Sequence, residues 1–239
     1  MIDLIMDIIF PQTACYICRE PGRYSCRHPW CDACEDKMAR LKKCLSLCDH
    51  CGKYLGEGEN LCVECRQNPP SFNIARAVGP YEEPFRIAVK VFKFLGRKQL
   101  AKKMGDMMAE VVEGEPRFWP LDIIVPVPIS QGNLRQRGFN QTELLARQIG
   151  RRLKIAVDPG NLLRIKETPS QRELTREERE KNLLYAFKVT QPQKVLGKKI
   201  LLVDDVYTTG STIRECTRVL LEAGAERVSV ITWAIGKGF

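Results

Sequence analysis

One stretch of this 239-residue chain leaves few folding options: Ile200-Leu-Leu-Val-Asp-Asp-Val-Tyr-Thr-Thr-Gly-Ser-Thr212. Ile200 to Val203 form an uninterrupted apolar run, as a strand buried on both faces of a parallel sheet requires. From Thr212 to Leu221 the apolar residues Ile213, Cys216, Val219 and Leu220 recur at helical spacing. The pattern predicts strand, turn and helix in that order. In such a unit the turn lies at the carboxyl end of the strand, where open α/β sheets bind ligands. Its backbone N–H groups then face an anion beside the helix N-terminus. The hydroxyls of Thr208, Thr209, Ser211 and Thr212 add donors, and Gly210 supplies the turn. Asp204 and Asp205 come just before; carboxylates accept hydrogen bonds from neighbouring sugar hydroxyls and repel phosphate. Sugar acceptors next to phosphate donors match a ribose 5-phosphate. Either fragment alone is a strand end or a turn; their order carries the expectation.

Cysteine is concentrated at the other end. Ten of the eleven Cys fall between Cys15 and Cys65, eight of them in the pairs Cys15/Cys18, Cys31/Cys34, Cys48/Cys51 and Cys62/Cys65. Each pair places two thiolates on one turn, half of a tetrahedral zinc site. Taken consecutively they predict two structural Zn2+ sites with no open coordination position. Cys26, Cys44, His28 and His50 are left over, with His50 as the alternative ligand inside the third pair. Cys216, alone on its helix, reads as core packing.

Gln67-Asn-Pro-Pro-Ser-Phe-Asn breaks regular structure and predicts a linker over 67–74. It separates a cysteine-rich zinc domain with an N-terminal helix, 1–66, from an α/β domain, 75–239. In the latter, strands are expected near residues 75, 123, 162, 200 and 228, in a largely parallel sheet with helices on both faces. Pro84 to Leu95 is an amphipathic helix with Ile87, Val91 and Phe94 inward; its Lys93 either reaches the site or lies on a solvated face. Asp122 to Pro128 is a buried strand ending in a rigid turn. A loop with Ser130, Arg135 and Arg137 follows, then a helix from Thr142 to Leu153 with Asn140 as a candidate cap.

Several sets of residues carry a family resemblance. Leu202 to Thr212 is similar to the 5-phosphoribosyl 1-pyrophosphate (PRPP) binding motif of type I phosphoribosyltransferases. Val125-Pro-Val-Pro128 followed by Arg137-Gly-Phe-Asn-Gln141 resembles the ComF family. Lys93-Phe-Leu-Gly96 resembles that family's Lys-Phe-Arg-Gly element, with Leu95 in place of the basic residue. The cysteine pairs ahead of the transferase domain agree with it. The resemblance implies displacement of pyrophosphate from PRPP by an acceptor, with Mg2+ accompanying the substrate. Asp204, Asp205, Arg135 and Arg137 would act in catalysis. Tyr207, Thr208, Thr209, Gly210, Ser211, Thr212, Pro128 and Ser130 would join the Asp pair in holding PRPP. The polar segment 167–182 would be a closing loop, with Gln171, Arg176, Arg179 and Asn182 in the family pattern. Natural competence, single-stranded DNA and the helicase machinery of DNA uptake are the implied context. The alternative within it is a non-catalytic PRPP sensor or DNA-binding accessory protein.

Charge is compatible with both. Residues 1–70 carry nine Lys plus Arg against ten Asp plus Glu, so the net charge of +9 comes from the phosphate-binding half. A positive field suits a polyphosphate and a nucleic acid alike. No segment has the length of a membrane span, and the N-terminal Met-Ile-Asp-Leu-Ile-Met-Asp-Ile-Ile-Phe has two Asp and no basic residue, unlike a signal peptide. The expected location is cytoplasmic, with Leu4, Ile5, Ile8 and Ile9 on one helical face docking against the protein.

Overall fold

The computed structural model describes residues 12–236 except 26, 44–45, 57 and 167–184. The N-terminal region is built from two similar short modules. In the first, β1 (Gln12–Ala14) pairs antiparallel with β2 (Pro21–Tyr24), and α1 (Asp32–Lys43) follows. In the second, β3 (Ser46–Leu47) pairs antiparallel with β4 (Tyr54–Leu55), and α2 (Val63–Gln67) follows. These elements bury little apolar surface of their own, so each module must rest on something larger.

What they rest on is a four-stranded parallel sheet ordered β5 (Ala75–Pro80), β10 (Arg227–Ile235), β9 (Lys199–Tyr207), β6 (Ile123–Pro126). Its helices are α3 (Phe85–Phe94), α4 (Leu100–Gly114), α5 (Gln131–Arg137), α6 (Gln141–Leu153) and α7 (Ser211–Glu222). Alternate residues of β9 enter two different cores, as strand geometry dictates. Leu201 and Val203 join Phe85, Phe92, Met104, Leu145 and Trp233, and here the first module adds Cys15, Trp30 and Met38. Ile200 and Leu202, with Tyr207 from the far end of the strand where the alternation shifts, join Ile213, Cys216 and Leu220, and here the second module adds Cys48, Cys51, Tyr54 and Leu55, with Phe72 from the segment after it. The cysteine modules therefore cap opposite faces of one sheet.

Three expectations about elements need correction. The strand near 162, β7 (Leu162–Arg164), is not in the parallel sheet; it pairs antiparallel with β8 (Phe187–Val189) in a separate ribbon. On α3 the inward residues are Phe85, Ala88, Val89, Val91 and Phe92, whereas Phe94 is exposed and Ile87 half-buried. The guanidinium of Arg137 lies 5.4 Å from the Phe94 ring, so that residue faces a cation and not the core. The segment 131–137, expected as a loop, is a helix capped by Ser130 and closed by left-handed Gly138. In addition, α4 was not anticipated; Leu100, Met104, Met108 and Val112 bury its inner stripe.

Candidate functional site

Because all four strands of the sheet are parallel, their carboxyl ends meet at one edge. β9 continues four residues beyond the apolar run, its register with β10 running through Thr232↔Asp204 to Ile235↔Tyr207. Asp204 and Asp205 are thus held inside a paired strand, and only 8 % and 4 % of their surfaces are exposed. On the other side Val127 donates its N–H to the Val203 carbonyl at 2.9 Å, which brings the Val127–Ser130 segment alongside the Asp pair.

The turn after β9 is held by its own geometry. Gly210 has φ +82°, a left-handed conformation that disfavours a side chain. A Cβ there would meet the Tyr207 hydroxyl at 2.5 Å. Tyr207 itself is buried, edge-on to Phe72, with the Lys53 ammonium 5.6 Å from its ring. What Tyr207 offers the turn is therefore a wall and its backbone. Thr209 Oγ1 and Ser211 Oγ are hydrogen-bonded at 3.0 Å, Thr208 is exposed, and Thr212 is half-buried in the first turn of α7. As N-cap of α7, Gly210 contributes no side-chain acceptor, in contrast to Ser130 and Asn140 on the two preceding helices. The Ser211 N–H has only a long contact to Thr209 Oγ1, 3.5 Å, and the first-turn N–H groups of α7, which lack intrahelical partners, are the donors an anion would take up.

The two carboxylates have different environments. Asp204 accepts from the Asp205 N–H at 2.8 Å, and its pKa is pushed up to about 8, chiefly by burial and then by the neighbouring Asp205 charge. Asp205 is bound at both oxygens: Lys93 Nζ lies 2.6 Å from Oδ1, and Gln141 Nε2 donates to Oδ2 at 2.7 Å. Arg137 in turn donates to Gln141 Oε1 at 2.9 Å. Of the two readings of Lys93, the one that points to the site is correct, and Gln141 was missed altogether. The sequence signal was present in both motifs, Lys-Phe-x-Gly and Arg-Gly-Phe-Asn-Gln. What could not be read was that the first residue of one and the last of the other meet on a single carboxylate. Arg135 is exposed on α5, Pro128 is half-buried, and Ser130 is engaged in capping through the Asn133 N–H. Gln171, Arg176, Arg179 and Asn182 lie outside the described residues, as do Leu4, Ile5, Ile8, Ile9, Cys26 and Cys44.

Both sets of four thiols gather as the spacing predicted. The sulfurs of Cys15, Cys18, Cys31 and Cys34, and those of Cys48, Cys51, Cys62 and Cys65, each lie within 4.8 Å of one another. Tetrahedral zinc with bonds of about 2.3 Å needs sulfurs about 3.8 Å apart. Cys15–Cys34 at 3.9 Å, Cys18–Cys31 at 3.6 Å and Cys51–Cys62 at 3.6 Å meet that requirement. Backbone N–H groups of Cys31 and Cys62 point at the sulfurs of Cys15 and Cys48 at 3.3 and 3.4 Å, supporting thiolate charge. Without a cation the group divides: Cys48 is pulled down to about 4 by a hydrogen bond from Cys51, whose own thiol is pushed up by that bond and by burial. A divalent ion removes the conflict. His50 is elsewhere engaged, with Nε2 2.7 Å from the Phe72 carbonyl.

The second module also touches the opening turn of α7. Glu64, between ligands Cys62 and Cys65, pairs with Lys53 at 3.0 Å and with Arg214 of α7 at 2.9 Å.

The Phosphoribosyl transferase domain family matches residues 144–237, from α6 through β10. DNA utilization protein YhgH of Salmonella typhi is 33% identical over 221 residues, which cover 90% of this chain and 94% of that protein. Competence protein F of Haemophilus influenzae is 30% identical over 211 residues, 87% of this chain and 90% of that one. The chain belongs to the ComF family. Among solved structures, adenine phosphoribosyltransferase from Thermoanaerobacter pseudethanolicus aligns over 58% of this chain and 70% of its own at 20% identity and TM-score 0.37, too loosely to carry an argument. The α/β half of this ComF-family chain has the type I phosphoribosyltransferase-like architecture, and its N-terminal part contributes two four-cysteine clusters. No helix among the described residues is long and apolar enough to cross a membrane.

Proposed function

We propose that the protein binds PRPP at the carboxyl edge of its sheet and transfers the phosphoribosyl group to an acceptor nucleophile with release of pyrophosphate. The observation that carries this reading is the pairing of a helix N-terminus whose N-cap glycine offers no side-chain acceptor, at α7, with two buried carboxylates on the strand that leads into it. Thr208–Thr212 would take the 5-phosphate, and Asp204 and Asp205 the ribose hydroxyls. The segment from Pro128 to Arg137 would face the pyrophosphate, and Arg135 and Arg137 suit a polyanionic leaving group. As the bond to pyrophosphate breaks, positive charge grows on the ribose, and the Asp205 carboxylate would stabilise it electrostatically. The segment 167–182 would exclude water that competes with the acceptor.

The two clusters fit structural Zn2+, four thiolates each. Magnesium fits differently: Asp205 is already bound at both oxygens and Asp204 favours its protonated form, so the protein offers no free carboxylate cage. Magnesium, when bound, would supply charge neutralisation for the pyrophosphate. The test of turnover is pyrophosphate release from PRPP with pooled bases and amines. Release that requires one acceptor supports transfer; tight binding with no release under any of them favours a sensor.

A second reading is supported by the names of two relatives, a DNA utilization protein and a competence protein, and by the basic charge of the transferase half. In it, the same fold handles single-stranded DNA next to the helicase machinery of DNA uptake. A cytoplasmic location belongs to either reading.

A further inference from the structure

Asp205 is the hub of a closed ring of contacts that no motif by itself contains. Lys93 and Phe94 end α3; Arg137 ends α5; Gln141 begins α6; Asp205 lies on β9. The contacts run Lys93 Nζ to Asp205 Oδ1 at 2.6 Å and Gln141 Nε2 to Asp205 Oδ2 at 2.7 Å. From there Arg137 Nη1 reaches Gln141 Oε1 at 2.9 Å, and the Arg137 guanidinium closes the ring 5.4 Å from the Phe94 ring. A carboxylate 4 % exposed in a parallel sheet rotates freely only if its oxygens lack partners; here each oxygen has one, from different elements. Lys93 remains 18 % exposed, so its ammonium is not sealed inside. A buried carboxylate needs such a cation, since removing one partner of a buried pair leaves an uncompensated charge.

We propose that Lys93 and Gln141 are positioning residues that lock the plane of Asp205 for the ribose hydroxyls, and that Arg137 fixes Gln141 in the orientation this requires. The ligand part of this proposal rests on the reading of PRPP as ligand; the ring itself does not. Since the amide of Gln141 accepts from Arg137 through its oxygen, only its nitrogen is left to face Asp205. A flipped amide would set oxygen against oxygen. Arg137 thus determines which end of Gln141 meets the carboxylate, and α5 acts on the ribose position without touching the sugar.

The test has a ligand-free arm and a ligand arm. Melting temperatures are measured for the zinc-loaded parent, Lys93→Met, Asp205→Asn and the double variant. Lys93→Met is expected to melt lower than the parent, and adding Asp205→Asn is expected to restore most of that loss, because the stranded charge is gone. Strictly additive effects would overturn the ring. In the ligand arm, titration of PRPP and of ribose 5-phosphate into Lys93→Met and Gln141→Leu should show both ligands weakened by a similar factor, roughly ten- to a hundredfold for a lost charge-assisted contact. Weakening of PRPP alone would mean that Lys93 touches pyrophosphate, and unchanged affinity would mean that Asp205 needs no holding; either overturns positioning. A parent that binds neither ligand sinks the proposed function instead, and the melting cycle still judges the ring.

Discussion

At Asp204 a single residue carries a measurable conflict between function and stability. Its native pKa is raised to about 8, whereas in the unfolded chain it is near the ordinary aspartate value of about 3.9. Between those values the unfolded state binds fewer protons than the native one. Stability from this group is therefore fully present below about pH 4 and is lost as pH rises through about 8. Asp204→Asn keeps the acceptor for the Asp205 N–H and removes the charge. It is expected to raise the melting temperature, and by more near pH 8 than near pH 6, with an upper limit of about 1.4 kcal/mol for each pH unit. A gain independent of pH would mean that burial does not hold this carboxyl protonated. Gly210→Ala tests the neighbouring turn. The left-handed backbone and the Tyr207 hydroxyl in the Cβ position together should cost about 1–3 kcal/mol in chemical denaturation.

At the scale of elements, the second cysteine module acts as a buttress for the phosphate turn, and the first does not. Glu64 links the module to Arg214 in the opening turn of α7, while Lys53 and Phe72 enclose Tyr207, which backs Gly210. The first module instead sits across the sheet, with Trp30 against Trp233 at 6.1 Å. Cys62→Ser should therefore weaken PRPP binding, whereas Cys18→Ser should lose a zinc ion yet bind PRPP nearly as the parent does. Equal effects in titration would show that the modules serve only general stability. The same elements show what the sequence could convey. β9, β10 and α7 were legible because an apolar run or a helical stripe is a local property of consecutive residues. Both four-thiol sets were legible because each pair is local and consecutive pairing was the simplest closure. The fate of Leu162–Arg164 was not: whether a short strand joins the main sheet or a ribbon depends on a partner, Phe187–Val189, more than twenty residues away. Nor was the burial of Asp204 and Asp205, which follows from β10 pairing on as far as Tyr207.

Across the whole molecule, charge and metal are the properties to measure. The purified protein is expected to carry two zinc ions per chain, since two complete four-thiolate sets exist. One zinc would mean that a module is incomplete, and none would remove the metal from the account. The surplus positive charge outside residues 1–70 predicts that any single-stranded DNA binding falls steeply with salt, as counterions are released, and that PRPP competes if both use the same edge of the sheet. Binding indifferent to salt and to PRPP would place DNA on another surface. The central claim, however, is that the carboxyl edge of the sheet holds a ribose with its phosphate. Isothermal titration of PRPP with magnesium into the zinc-loaded parent and into the Asp204→Asn, Asp205→Asn double variant tests it most directly. The account predicts saturable binding by the parent and a loss of at least about tenfold in the variant, as expected for lost hydrogen bonds to charged groups. PRPP bound equally tightly by both proteins would contradict it.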